Sequence, residues 1–385
     1  MGRHGSGTPT LVNYDVLRDS QLRSGVMPEH AWNVSYSGCQ WYCVVGREYN
    51  DQDLNSFVLV EPLKRAIDIG IERNIETFEE FWSVYDTEVN KTADILRDFK
   101  NKTYEYQHKV WPEMVTSFCM HGPLDVGRDV TDMRAVDYNY TSVNVLGTPN
   151  VSDSMYAINK AVFEDKKISL RSLREAIRTN WKDQEPLRQY MLNLPKFGND
   201  IEDVDAMAIR VAEHVRGVLE NRRNIKGFNF RPSLFQYMGH TYAGPIVGAT
   251  PDGRKAEEPL AHGMNPMHGR NKNGITSTAR SFCKIDFRKY QGGSFQVELD
   301  PSFFPQDKSR GYFIVAFAKS FFQMGGVQIN LNVVDLDQIK RAMDYPQEPQ
   351  FKDLVVKVTG YSAHFVTMDR KLQEEFLARV NYRTL

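Results

Sequence analysis

Cysteine is scarce in this chain. Four residues in 385 (Cys39, Cys43, Cys119 and Cys283) are too few and too scattered for a disulfide framework or a zinc ribbon. Net charge is equally small: 48 basic against 49 acidic side chains leave −1, which gives no field for nucleic acid or an acidic membrane surface. Long apolar runs are missing as well, so no transmembrane segment is predicted, and the first residues are polar and glycine-rich. No internal repeat or low-complexity tract interrupts the chain. Sparse thiols fit a reducing cytoplasm best. What remains is a 41% hydrophobic sequence, long enough for one large domain or two.

Periodicity supplies the coarse structure. Leu59, Leu63, Ile67 and Ile71 recur at helical spacing, and residues 77–99 read as a second helix with Phe78, Phe81 and Trp82 on its buried side. Ser169 can cap a helix carrying Leu170, Leu173, Ile177 and Trp181 on one face, and Val204, Ala208, Val211, Val215 and Val218 mark another. Val327, Ile329, Leu331 and Val333 alternate with Gln328, Asn330 and Asn332. That period of two predicts a strand with one apolar and one amide-bearing face, suited to a barrel wall.

The most informative stretch is near the tail. Lys357-Val358-Thr359-Gly360-Tyr361 is followed by Ser362-Ala363-His364-Phe365-Val366. Taken alone, a glycine after a β-rich run is a turn or a close backbone approach. The whole stretch, however, resembles the carboxyl-terminal signature of the glycyl radical enzymes, the pyruvate formate-lyase-like family, which reads R-V-x-G-Y then S-A-x-F-V. Lysine at 357 replaces the usual arginine, which keeps the charge and changes the donor geometry. Further blocks carry the resemblance: Lys196-Phe197-Gly198-Asn199-Asp200, and Gly248-Ala249-Thr250-Pro251-Asp252-Gly253-Arg254-Lys255, of which Pro-Asp-Gly alone would be only a tight turn. Residues 1–15 are similar to the family's G-x-G-T-P loop, which in full-length members lies in mid-chain. Met133-Arg134-Ala135-Val136 stands where the family has Gly-Gly-Ala-Arg, so binding roles are not carried over there.

The resemblance implies a chemistry. The family's glycine, here Gly360, loses an α-hydrogen and stores a radical, since no side chain opposes a planar α-carbon and the flanking amides delocalise the electron. That radical generates a thiyl on a loop cysteine, matched here by Cys39 after Ser37-Gly38. Cys43 is the rival, because in a helical loop it would share a face with Cys39. Eliminating members commonly read G-C-V-E, and Trp41 stands at the glutamate position. Acyl-transferring members carry two adjacent cysteines, which Cys39-Gln40 does not match. Hydrocarbon-adding members need no loop glutamate, so C–C bond formation on an apolar substrate is the leading expectation, with lyase, dehydratase or decarboxylase chemistry as the alternative. A non-catalytic or repair subunit is a third reading, against which the retained cysteine loop argues. Trp41 and Tyr42 are candidates to line the pocket, and Arg47 and Glu48 to bind or protonate a carboxylate.

The implied fold is half of a ten-stranded α/β barrel surrounded by helices, with residues 1–260 as the barrel half bearing the cysteine loop and 261–385 as the glycine radical domain. The expected partners are a separate chain supplying the amino-terminal half and a radical S-adenosylmethionine activating enzyme, which a basic fringe of Lys357, Arg370 and Lys371 would help to dock. No metal or organic cofactor is expected on this chain.

Overall fold

Twelve strands organise the computed structural model, which describes residues 10–51, 55–235, 238–301, 307–379 and 381–382. They are β1 (Thr10–Val12), β2 (Val34–Ser37), β3 (Trp41–Val44), β4 (Glu48–Asn50), β5 (Ser56–Val58), β6 (Tyr138–Leu146), β7 (Phe230–Ser233), β8 (Phe295–Leu299), β9 (Gln328–Val333), β10 (Val355–Lys357), β11 (Ser362–His364) and β12 (Asn381–Tyr382). The glycine-rich loop expected at the amino end lies largely outside the described residues.

Parallel pairing builds the barrel wall. β6 pairs with β4 at one end and β5 at the other, so these two short strands act as one interrupted strand, while β7 takes its opposite edge. β8 and β9 form a second parallel pair, and β1 closes the outer edge of β9 in antiparallel fashion. The two sheets join where Gln291 donates to the carbonyl of Pro232 (2.9 Å) and Leu234 to that of Gly292 (3.1 Å). Further along they part, and β12 adds to β8. The result is five parallel strand positions, half of a barrel.

Alternation along these strands decides what faces in. In β6, Val143 and Val145 enter the main core, whereas Ser142 and Asn144 turn to the inner face. β9 repeats the pattern: Ile329 and Leu331 are core, while Gln328, Asn330 and Asn332 are buried amides on the other side. The expected two-faced strand is therefore present. A parallel sheet covered on both sides needs such internal satisfaction of polar groups.

Helices pack on the outside. Val60–Arg73 buries Leu63 and Ile67, and Phe78–Val110 starts at a Thr77–Glu80 capping box that satisfies two amide donors. Glu202–Glu220 buries the valine face read from the sequence. The main core is continuous across residue 260: Phe282, Phe295 and Ile329 belong to the same cluster as Leu63, Phe81 and Val211. A second, smaller core gathers Ile339, Phe351, Val356, Val358, Phe365, Leu372 and Phe376. Among the described residues no helix is long and apolar enough to cross a membrane.

Candidate active site

Two hairpin tips meet at the inner face of the half barrel. The first is formed by β2 and β3, whose register from Val34↔Val44 to Ser37↔Trp41 leaves Gly38-Cys39-Gln40 as a three-residue turn. Gly38 has φ +79°, a left-handed conformation that favours glycine in such turns. Because the stretch is a hairpin and not a helix, Cys39 sits at the tip and Cys43 four residues up a strand, opposite Ser35. Burial, with the Glu48 charge adding to it, pushes the Cys43 thiol up to about 11.

The second tip joins β10 to β11 and carries Val358, Thr359, Gly360 and Tyr361. Val356 and Val358 enter the small core, which leaves Lys357 and Thr359 on the opposite side. Glycine is required at 360 by close approach rather than by backbone twist. A Cβ built there would lie 2.2 Å from the Cys39 Cα and 2.3 Å from its carbonyl oxygen, distances no side chain tolerates. The α-hydrogen in that position therefore points at the Cys39 backbone.

Neutral polar groups hold the two tips in register. Thr359 Oγ1 donates to Cys39 Sγ at 3.3 Å, and Gln328 Nε2 donates to the Cys39 carbonyl at 3.0 Å. Gln40 Nε2 reaches Ser233 Oγ at 2.6 Å, and the Trp41 indole donates to Asn144 Oδ1 at 3.1 Å. Asn332 grips the other hairpin: its amide donates to the Lys357 carbonyl and its oxygen accepts from the Lys357 N–H, both at 2.8 Å. One strand, β9, thus orients both loops.

The remaining sequence candidates separate. Trp41 stays beside the site, packed edge-on against Phe235 with ring centroids 6.0 Å apart. Tyr42 alternates to the main core, where its hydroxyl donates to the Tyr290 carbonyl at 2.7 Å and burial pushes its pKa up to about 12. Arg47 and Glu48 lie at the opposite end of the hairpin from Cys39. Arg47 is held by Asp137 at 2.5 Å. Glu48 is buried and accepts from Gln21 Nε2 (2.7 Å) and the Val44 N–H (2.8 Å); burial raises its carboxyl above the usual range. The expected basic fringe is divided too. Arg370 pairs with Glu374 on the surface, whereas Lys357 is only 6% exposed and turned inward.

A buried charged cluster ties the small core's Arg370–Ala378 helix to the wall. Arg379 bridges Glu375 (2.9 Å) and Glu298 of β8 (3.3 Å), and His240 Nε2 lies 3.1 Å from Glu375. Burial pushes the Glu375 carboxyl up, but Arg379 and His240 outweigh it and hold the group well below the usual carboxylate range. Burial drives His262 well below the ordinary histidine value and His268 down to about 4. His240, His262 and Glu375 have ligand atoms within 4.8 Å of one another. Their rings, however, are stacked at 4.4 Å and 23°, so in-plane lone pairs do not converge, and Arg379 already occupies the carboxylate. The cluster is a fastening rather than a metal centre.

The two hairpin tips bring the Gly360 α-carbon against Cys39, the juxtaposition that the resemblance to the glycyl radical enzymes implies, and the comparisons identify the class. The pyruvate formate lyase-like profile matches residues 1–244 and the glycine radical profile residues 260–366. The chain belongs to the pyruvate formate lyase-like family of glycyl radical enzymes. It is 28% identical to the indoleacetate decarboxylase of Tractidigestivibacter scatoligenes, over 99% of this chain and 48% of that protein. It is 26% identical to the trans-4-hydroxy-L-proline dehydratase of Clostridioides difficile, over 98% and 49%. Among solved structures, the B12-independent glycerol dehydratase of Clostridium butyricum superposes with a TM-score of 0.91 at 27% identity, covering 99% of this chain and 50% of that one. The chain spans about half the length of the curated relatives it matches.

Proposed function

We propose that Gly360 stores the radical and Cys39 carries it to substrate in a reaction of the eliminating type. The observation that supports this most is the contact of the Gly360 α-carbon with Cys39, two residues 321 positions apart in sequence (360 − 39). An S–H bond is comparable in strength to an α-C–H bond, so the exchange is close to balanced. The Cys39 hydrogen atom passes to the glycyl carbon, which restores the glycine and leaves a thiyl. The thiyl takes a hydrogen atom from a substrate C–H bond. The substrate radical expels a neighbouring group, and the product radical recovers the hydrogen atom from Cys39.

The named relatives favour elimination over the C–C bond formation expected from Trp41, since they are a decarboxylase, two dehydratases and, further out, sulfite-lyases of isethionate. With tryptophan at the position of the usual glutamate, the acid or base of this site comes from elsewhere. We propose that residues outside this chain, equivalent to the relatives' other half, close the barrel and complete the pocket. The half-length match supports that reading. A separate radical S-adenosylmethionine activating enzyme then installs the radical on Gly360.

Substituting Cys39→Ala in the activated, assembled enzyme tests the assignment. Turnover is expected to vanish while the glycyl signal in electron paramagnetic resonance persists. Undiminished turnover would retire Cys39 as the hydrogen carrier and favour a repair or non-catalytic role.

A further inference from the structure

We propose that Lys357 is the anion-recognising group of this site, and that the substrate carries a carboxylate or sulfonate held by its ammonium. The proposal deepens the reading of Cys39 as the hydrogen-abstracting thiol and rests on it.

Placement comes first. Lys357 shares the Cys39-facing side of its loop with Thr359, whose hydroxyl donates to the thiol, while Val356 and Val358 fill the small core behind. Its main chain is fixed at both N–H and C=O by Asn332, so the side chain projects from a held strand. The residue is 6% exposed, and among the described residues its ammonium has neither an ion pair nor a hydrogen-bond acceptor. Glu298, which Asn332 also reaches at 3.4 Å, is taken by Arg379.

Electrostatics then select the ligand. The other side chains bonded to the cysteine turn, Thr359, Gln328 and Ser233, are neutral. A partly desolvated cation without a counter-ion among the described residues is costly, and burial accordingly lowers the Lys357 pKa, with Cys39 acting in the opposite sense. An anionic ligand group would remove that cost, whereas a neutral diol would leave it in place. Gln328 Oε1 and Asn330 Nδ2 are buried on the same inner face without partners among the described residues. A carboxamide acceptor and donor of this kind suit a hydroxyl on the same molecule. The substrate class is thus a small hydroxylated acid. A carboxylate from the half that completes the pocket is the competing source of the anion.

Alkylation of Cys39, read by mass spectrometry of its peptide, tests this without radical chemistry. Iodoacetate and iodoacetamide differ in one negative charge. The ratio of their rates at Cys39 is expected to fall at least about fivefold in Lys357→Met, the effect of one unit charge close by when water screens it fully. Lys357→Arg should keep the ratio, which separates charge from misfolding. Glycolate should protect Cys39 from iodoacetamide in the native chain and in Lys357→Arg but not in Lys357→Met, and ethylene glycol should protect in none. Protection by glycolate that ignores residue 357, or an unchanged rate ratio, overturns the proposal. A charge preference present in this chain alone but abolished in the assembled enzyme also overturns it, and assigns the counter-ion to the other half. None of these outcomes bears on the Cys39→Ala test, so the two readings fail separately.

Discussion

The two hairpins that meet at the site are built alike and anchored differently. The Cys39 turn leans on the main core through Tyr42 and is bonded to three barrel strands, by Trp41 to β6, Gln40 to β7 and Gln328 to β9. The Gly360 turn belongs to a small core of its own, attached to the wall through Asn332 and the Arg379 cluster. The difference divides labour. The proposed hydrogen carrier, Cys39, is held by the main barrel, while the proposed radical store, Gly360, sits in the smaller unit. Local stability follows such divisions, because small clusters open at lower free energy than the main core.

The largest predicted effect comes from removing the glycine. Gly360→Ala should abolish both radical formation and turnover, because its Cβ forces the tips apart at a cost of about 3 kcal/mol. Loss of the paramagnetic signal together with faster amide exchange over residues 355–364 checks it. Next, Arg379→Met leaves Glu375 and Glu298 buried without their cation and should destabilise docking of the small unit by about 3–5 kcal/mol. Hydrogen exchange should then speed up in the Arg370–Ala378 helix and not in Glu202–Glu220; uniform acceleration would mean that the two cores are one cooperative body.

Asn332→Ala is expected to cost about 2 kcal/mol by orphaning the Lys357 N–H and C=O, and to raise exchange at that amide about 30-fold. Lowering the pH should loosen the same unit. His268 has a folded pKa of about 4, below the unfolded value of about 6.5, so its contribution is complete above pH 6.5 and is lost as pH falls toward 4. Exchange in the Arg370–Ala378 helix measured between pH 7 and 5 checks the sign. The smallest effect belongs to Gln328→Ala, about 1 kcal/mol, since the cysteine turn keeps its other anchors.

Much of this was legible in the sequence. Helical spacing identified the outer helices, and the amide alternation of residues 327–333 identified a barrel strand, because both patterns follow from one apolar face. Cys39 and Gly360 were legible through their motifs. The resemblance also implied that the two meet, but not which residues hold them together, since only tertiary structure joins them. Arg47 and Glu48 were singled out for proximity in sequence to Cys39, yet a hairpin reverses direction and puts them at its far end. Lys357 read as surface charge because a lysine turned inward is rare and leaves no periodic signal. Gln328 and Asn332 were seen as a face, but which backbone each would hold depends on loops distant in the chain.

Deuterium exchange at the radical tests the central claim most directly. A glycyl radical retains one α-hydrogen, which splits its paramagnetic signal into a doublet. In D2O the Cys39 thiol becomes S–D and, if it trades hydrogen with Gly360, the doublet should collapse toward a single line in the native enzyme and remain a doublet in Cys39→Ala. Collapse at the same rate in both would contradict a relay between these two residues.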